Sequence, residues 1–106
     1  MAEDESVLIE YLGDTPILRI IDFLLENRLF DYSKKQIIEE TGMAKATFYK
    51  YWDRLVDLKI VKTTRSFGKT KLYKLNEENK IVKEIKKLEL ALIEQTAPSA
   101  SRPTIS

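Results

Sequence analysis

Residues 35–61, KQIIEETGMAKATFYKYWDRLVDLKIV, constrain the fold more than any other part of the chain. Ser33 and Gln36, at capping-box spacing, open a short helix. Ile37 and Ile38 are its buried pair, and Gly42 is its stop. From about Ala44 to Leu58, Phe48, Trp52, Leu55 and Leu58 recur at i, i+4, i+7 and i+10, one continuous apolar stripe on a second helix. The stretch therefore reads as two short amphipathic helices hinged at a glycine and followed by a strand.

The flanking segments extend the same pattern. In TPILRIIDFLLEN, Asp14 or Thr15 can cap a helix over 15–27 with Pro16 at its first position, where the missing N–H has no intrahelical partner to lose. Ile17, Ile20, Ile21, Leu24 and Leu25 give it one buried face. Beyond Leu58, KIVKTTRS and TKLYKLN are rich in β-branched and aromatic residues and flank FGK, a turn centred on Gly68, which predicts a hairpin. Alternation places Val61, Tyr73 and Leu75 inward and Lys62, Arg65, Lys69, Lys71 and Lys74 toward solvent. Asn76 is the expected cap of a last helix, 76–95, whose Ile81, Ile85, Leu88 and Leu92 are spaced as a heptad seam. Residues 96–106, with two prolines and no core former, read as a disordered tail. Residues 1–14 read as an apolar and acidic segment.

A chain of 106 residues supports one domain with one modest core. It holds neither cysteine nor histidine, which removes disulfides, thiolate chemistry, the commonest metal ligand and the commonest general base. Glu39-Glu40 and Glu77-Glu78 are sequence neighbours on helices, so each pair diverges by about 100° around the axis and suits solvated charge better than acid–base work. There is no phosphate-binding glycine loop and no nucleophile motif, so no enzyme activity, metal or cofactor is expected. The acidic start MAEDESVLIEYLG lacks the flank of a signal peptide, and no apolar run reaches membrane-spanning length, so a cytoplasmic, nucleoid-associated protein is expected.

The net charge of +1 hides an asymmetry. Residues 1–33 carry two basic and eight acidic side chains, residues 34–75 eleven and four, and residues 76–106 five and five. A basic central third in a near-neutral chain suggests a local anion-binding face. The plainer reading is a solvated, lysine-rich surface.

Three helices followed by a hairpin, with the turn Thr41-Gly42-Met43 between the second and third, resemble the winged helix-turn-helix family of small bacterial and archaeal transcription regulators. The resemblance covers about residues 15–75. It implies a mainly α fold with a small β-hairpin as the wing; beyond it, the apolar stripe of the last helix predicts a C-terminal dimerisation helix. Two positions depart from the family pattern. Ala44 stands where a capping Ser or Thr is usual, a loss of about 1 kcal/mol. Lys59 stands where the recognition helix is usually followed by glycine, so that helix is expected to end by a different turn.

The resemblance also implies which residues meet DNA. With Phe48, Trp52 and Leu55 turned to the core, Lys45, Ala46, Thr47, Tyr49, Lys50 and Arg54 lie on the side that recognition helices present to the major groove. Lysine can donate to guanine, Thr47 and Tyr49 to phosphates or bases, Ala46 can touch a thymine methyl, and Arg54 can reach a phosphate. On the wing, Arg65, Lys69 and Lys71 can straddle the backbone or enter a minor groove. They would equally protect an exposed hairpin edge from aggregation.

The expected function is that of a dimeric, sequence-specific regulator of double-stranded DNA, a repressor acting by occupancy. Partition or centromere-binding proteins and chromatin architectural proteins share the fold and dimer logic. A winged helix serving as a protein-interaction module is the alternative from another class. Ile81, Ile85, Leu88 and Leu92, with Val7, Leu8, Ile9, Tyr11 and Leu12, are the expected homodimer surface, placing two recognition helices roughly 34 Å apart. The sequence names no small-molecule effector.

Overall fold

The computed structural model describes residues 6–97. In chain order the elements are α1 (Val7–Leu12), α2 (Pro16–Glu26), α3 (Lys34–Thr41), α4 (Lys45–Asp57), β1 (Val61–Phe67), β2 (Thr70–Leu75) and α5 (Lys80–Thr96). The tail expected from residue 96 lies outside the described residues from 98 onward, and Thr96 itself closes α5.

Each helix starts on a local signal. Ser6 Oγ accepts the Ile9 N–H at 3.2 Å to open α1, a helix too short to persist without burial. Burial is supplied by its own chain, because Leu8 and Ile9 are both buried and α1 packs on α2 and α5. Thr15 caps α2 with Pro16 behind it, accepting from Leu18 N–H at 3.3 Å. Asp14, the other candidate cap, instead chelates Arg19. The Ser33–Gln36 capping box forms in both directions, at 3.1 and 2.8 Å. Gly42 ends α3 in the left-handed conformation, φ 69°, where a Cβ would be strained.

The end of α4 differs from the expected one in two ways. Leu58 is half exposed and not part of the buried stripe. The helix stops at Asp57, and Ile60 takes the inner position after the chain turns. That turn is the left-handed one that Lys59 was expected to avoid: Lys59 has φ 60°. Its N–H bonds Val56 O at 3.0 Å and Ile60 N–H bonds Leu55 O at 2.9 Å, the paired bonds of a glycine-type helix stop. Asn76 Nδ2 donates to Lys59 O at 2.9 Å, and Asn79 Nδ2 donates to Leu58 O at 2.9 Å. Two asparagines thus hold the carbonyls that flank the strained residue.

The hairpin pairs Val61 with Leu75 and Phe67 with Thr70, leaving a two-residue turn, Gly68-Lys69. Gly68 has φ 59° at the first turn position, the geometry in which a hairpin turn follows the twist of its strands. A bulge interrupts the register between Thr63 and Arg65. On its other edge β2 receives Tyr32, whose N–H and C=O both pair with Tyr73 at 2.8 Å. Asn76 does not cap α5. Asn79 does, its Oδ1 accepting from Ile81 and Val82 N–H, while Asn76 shapes the preceding turn.

One core unites the elements: Leu8, Ile20, Leu24, Leu25, Ile37, Phe48, Trp52, Leu55, Leu75 and Val82 are all buried within it. The heptad seam of α5 divides here. Val82, absent from the seam, is the residue of α5 that is fully buried, and Ile85 and Leu92 are half buried against the same core. Ile81 and Leu88 are exposed, as are Leu90 and Ile93 further round the helix.

Candidate nucleic-acid interface

α4 carries its two kinds of residue on opposite sides. Phe48 and Trp52 stack on each other in the core with ring centroids 5.0 Å apart, and Trp52 meets the Tyr73 ring edge-on. This stack fixes the rotation of α4 against the hairpin. Lys45, Ala46, Tyr49, Lys50 and Arg54 are exposed as a result, and Thr47 is half exposed. Ala44 offers the helix N-terminus no side-chain acceptor, so the first-turn amides present their partial positive charge outward.

Aromatic rings order the cations on this side. Lys50 Nζ lies 5.5 Å and the Arg54 guanidinium 5.0 Å from the Tyr51 ring centroid. Lys34, at the start of α3, sits 5.4 Å over Tyr49 and links the two helices. Such contacts hold a charge over a ring face without neutralising it. Tyr51 was not among the sequence candidates, although its i−1 and i+3 neighbours on a helix are the two cations it orders.

In the hairpin, Lys69 and Lys71 are exposed and, among the described residues, have no acidic partner within ion-pair distance. Arg65 is exposed, as the alternation predicts, but it is paired with an acid. Its Nε donates to Asp31 Oδ2 at 2.9 Å and its Nη2 to Oδ1 at 3.1 Å. Thr64 Oγ1 donates to the same Oδ2 at 2.5 Å. The Arg65 and Thr64 hydrogen bonds hold the Asp31 carboxyl down at about 2. No local sequence signal points to Asp31, which lies in the α2–α3 connection far along the chain from β1.

A second charged cluster lies between α2 and α5. Asp22, Glu26 and Glu89 each bring a carboxylate oxygen to within 4.8 Å of the others. Burial, then a hydrogen bond and repulsion from Glu26, pushes Glu89 up to about 7. Asp22 is raised as well, chiefly by burial, and its Oδ1 has no hydrogen-bond partner. Asp22 and Glu26 lie one turn apart on α2 and Glu89 lies on α5, so the cluster depends on how the two helices meet and no local sequence signal marks it. Along the outer side of α5, Lys80, Ile81, Glu84, Ile85 and Leu88 line an open groove of about 360 Å³.

No protein-family model matches the chain, and no curated protein matches it. Among solved structures it is similar to a MarR family protein from Bacillus stearothermophilus, at 19% identity and a TM-score of 0.59 over 91% of this chain and 67% of that one. The fold is a winged helix. In it α3 and α4 are the helix-turn-helix, α4 its second helix, and β1 and β2 form the wing. Among the described residues, no helix of this winged helix is long and apolar enough to cross a membrane.

Proposed function

We propose that the chain is a dimeric, sequence-specific double-stranded DNA-binding regulator, a repressor acting by occupancy. The observation that carries this reading is the division of α4: its apolar stripe is buried, while Lys45, Tyr49, Lys50 and Arg54 remain exposed beside an uncapped helix N-terminus. Lys45, Ala46, Thr47, Tyr49 and Lys50 would read base edges, and Arg54, Lys69 and Lys71 would hold phosphates.

The dimer is supported by apolar side chains left on α1 and α5. Tyr11, Leu12, Ile81, Leu88, Leu90 and Ile93 are all exposed beyond two-fifths, and apolar side chains gathered on two packed helices suit a protein partner. Symmetric pairing through them would set two recognition helices on successive major grooves. The interaction-module reading has its own support in Leu29 and Phe30, exposed in the α2–α3 connection at 81% and 62%. Those residues belong to the α2–α3 connection and not to α4, whose outward side would need apolar residues to serve a protein partner of the recognition helix.

Titration of labelled duplex at two salt concentrations tests the reading. Binding should weaken steeply, by about 0.9 in the log–log slope for each phosphate neutralised. Lys50→Ala should reduce discrimination between cognate and random duplex, and Lys69→Ala should weaken both equally and flatten the slope. Absence of binding at low salt refutes DNA recognition.

A further inference from the structure

The bulge in β1 has a geometric consequence at Asp31. In a regular strand, successive side chains point to opposite faces, so Thr64 and Arg65 could not reach one carboxylate together. The register shift between Thr63 and Arg65 inserts an extra residue, and a bulge of this kind re-aims side chains. Here it brings the Thr64 hydroxyl to 2.5 Å and the Arg65 Nε to 2.9 Å from the same Asp31 oxygen. Thr64 Oγ1 also lies 3.3 Å from Leu72 O across the hairpin. One residue further along, Tyr32 closes two backbone hydrogen bonds with Tyr73. The Asp31 side chain is only 16% exposed, whereas Arg65 is 60% exposed.

We propose that Asp31 is the positioning residue of the wing. It clamps the bulge to the helical body and takes the Arg65 charge out of the set available to phosphates. The wing is thereby carried as a rigid extension of the α2–α3 connection, with Lys69 and Lys71, at and beside its turn, left among its uncompensated cations. Arg65, which the sequence suggests as a DNA contact, instead sets the angle at which that pair is presented. The DNA consequence rests on the regulator reading above, but the clamp itself does not.

Duplex binding across a salt series, with the full chain, separates the two roles of Arg65. Arg65→Gln should lower affinity for cognate and random DNA alike while leaving the salt slope unchanged. Asp31→Asn should release the guanidinium and steepen the slope by about 0.9 per protomer, and adding Arg65→Gln to it should restore the original slope. A slope flattened by about 0.9 in Arg65→Gln alone would place Arg65 on a phosphate and overturn the proposal. If the unmodified protein binds no duplex, the regulator reading fails by itself, and amide exchange in the free protein still decides the clamp. Asp31→Ala should speed exchange of the Tyr32 and Tyr73 amides about tenfold with Leu24 and Leu55 unchanged. Equal rates would refute it.

Discussion

α4 and α5 carry similar apolar periodicity and meet opposite fates. α4 buries Phe48, Trp52 and Leu55 and exposes a polar, basic side. α5 buries Val82 alone and leaves Ile81, Leu88, Leu90 and Ile93 in solvent. The packing of α4 against α2 and β1, and the contact of Trp52 with Tyr73 of β2, explain the first outcome, since several elements converge on α4. α5 meets the body along one edge, and at that edge Glu89 faces Asp22 and Glu26. A surface rich in uncompensated cations suits a polyanion, and a surface with apolar side chains on more than one side of a helix suits another protein.

The sharpest way to break this comparison is to damage each helix at its most apolar point. Phe48→Ala should destabilise the fold by about 3–5 kcal/mol, a large part of the stability of so small a domain. Leu88→Asp should leave urea unfolding of the monomer within about 0.5 kcal/mol, as expected for an exposed site. The same variant should sediment as a monomer and bind operator DNA about a hundredfold more weakly, because the second half-site is no longer tethered. Loss of fold in Leu88→Asp would show that α5 is as structural as α4. A monomeric unmodified protein at tens of micromolar would remove the dimer.

The acidic edge of α5 gives a smaller effect with a defined sign. Glu89 titrates near 7 in the folded protein against 4.5 for the ordinary group, because burial and then Glu26 disfavour its charge. The native state therefore holds a proton that the unfolded chain releases, so stability falls as pH rises from about 4.5 through 7 and levels off above. Asp31 acts in the opposite sense: held at about 2 against 3.8, it contributes stability above its ordinary value that is lost as pH falls toward 2. Urea midpoints should accordingly be higher at pH 5 than at pH 8, and Glu89→Gln should abolish most of that difference. A midpoint that rises between pH 5 and pH 8 would mean that Glu89 is not docked against α2.

Local periodicity and capping were sufficient to read α2, α3, α4 and the hairpin, because each is specified by neighbours within a few residues: Thr15 and Pro16, Ser33 with Gln36, Gly42, and Gly68. What escaped depends on contacts between distant segments. The helix at Val7–Leu12 exists because Leu8 and Ile9 find burial against α2 and α5. Asn79 caps α5 in place of Asn76 while also reaching back to the end of α4. For the interface, the sequence suggested the outward residues of α4 by elimination of the core stripe. It could not suggest that Asp31 would meet Thr64 and Arg65, since a bulge and a cross-chain carboxylate leave no periodic trace.

The smallest expected effect lies at the junction of the two helices compared. Lys59 holds φ 60°, a region that disfavours residues with a Cβ by roughly 1–2 kcal/mol. The paired helix-stop bonds and the donations from Asn76 and Asn79 keep it there. Replacing it with glycine removes the strain but adds freedom to the unfolded chain and deletes a cation near the C-terminus of α4, which offset part of the gain. Lys59→Gly should therefore stabilise the protein by about 0.5–1 kcal/mol in urea unfolding. Because Lys59 lies at the far end of α4 from the first-turn residues assigned to the groove, the salt slope of duplex binding should not change. An unaltered stability would mean that the Lys59 side chain contributes as much as its strained backbone takes away. A flattened slope would instead enlist this end of α4 in phosphate contact and extend the DNA-facing surface toward α5.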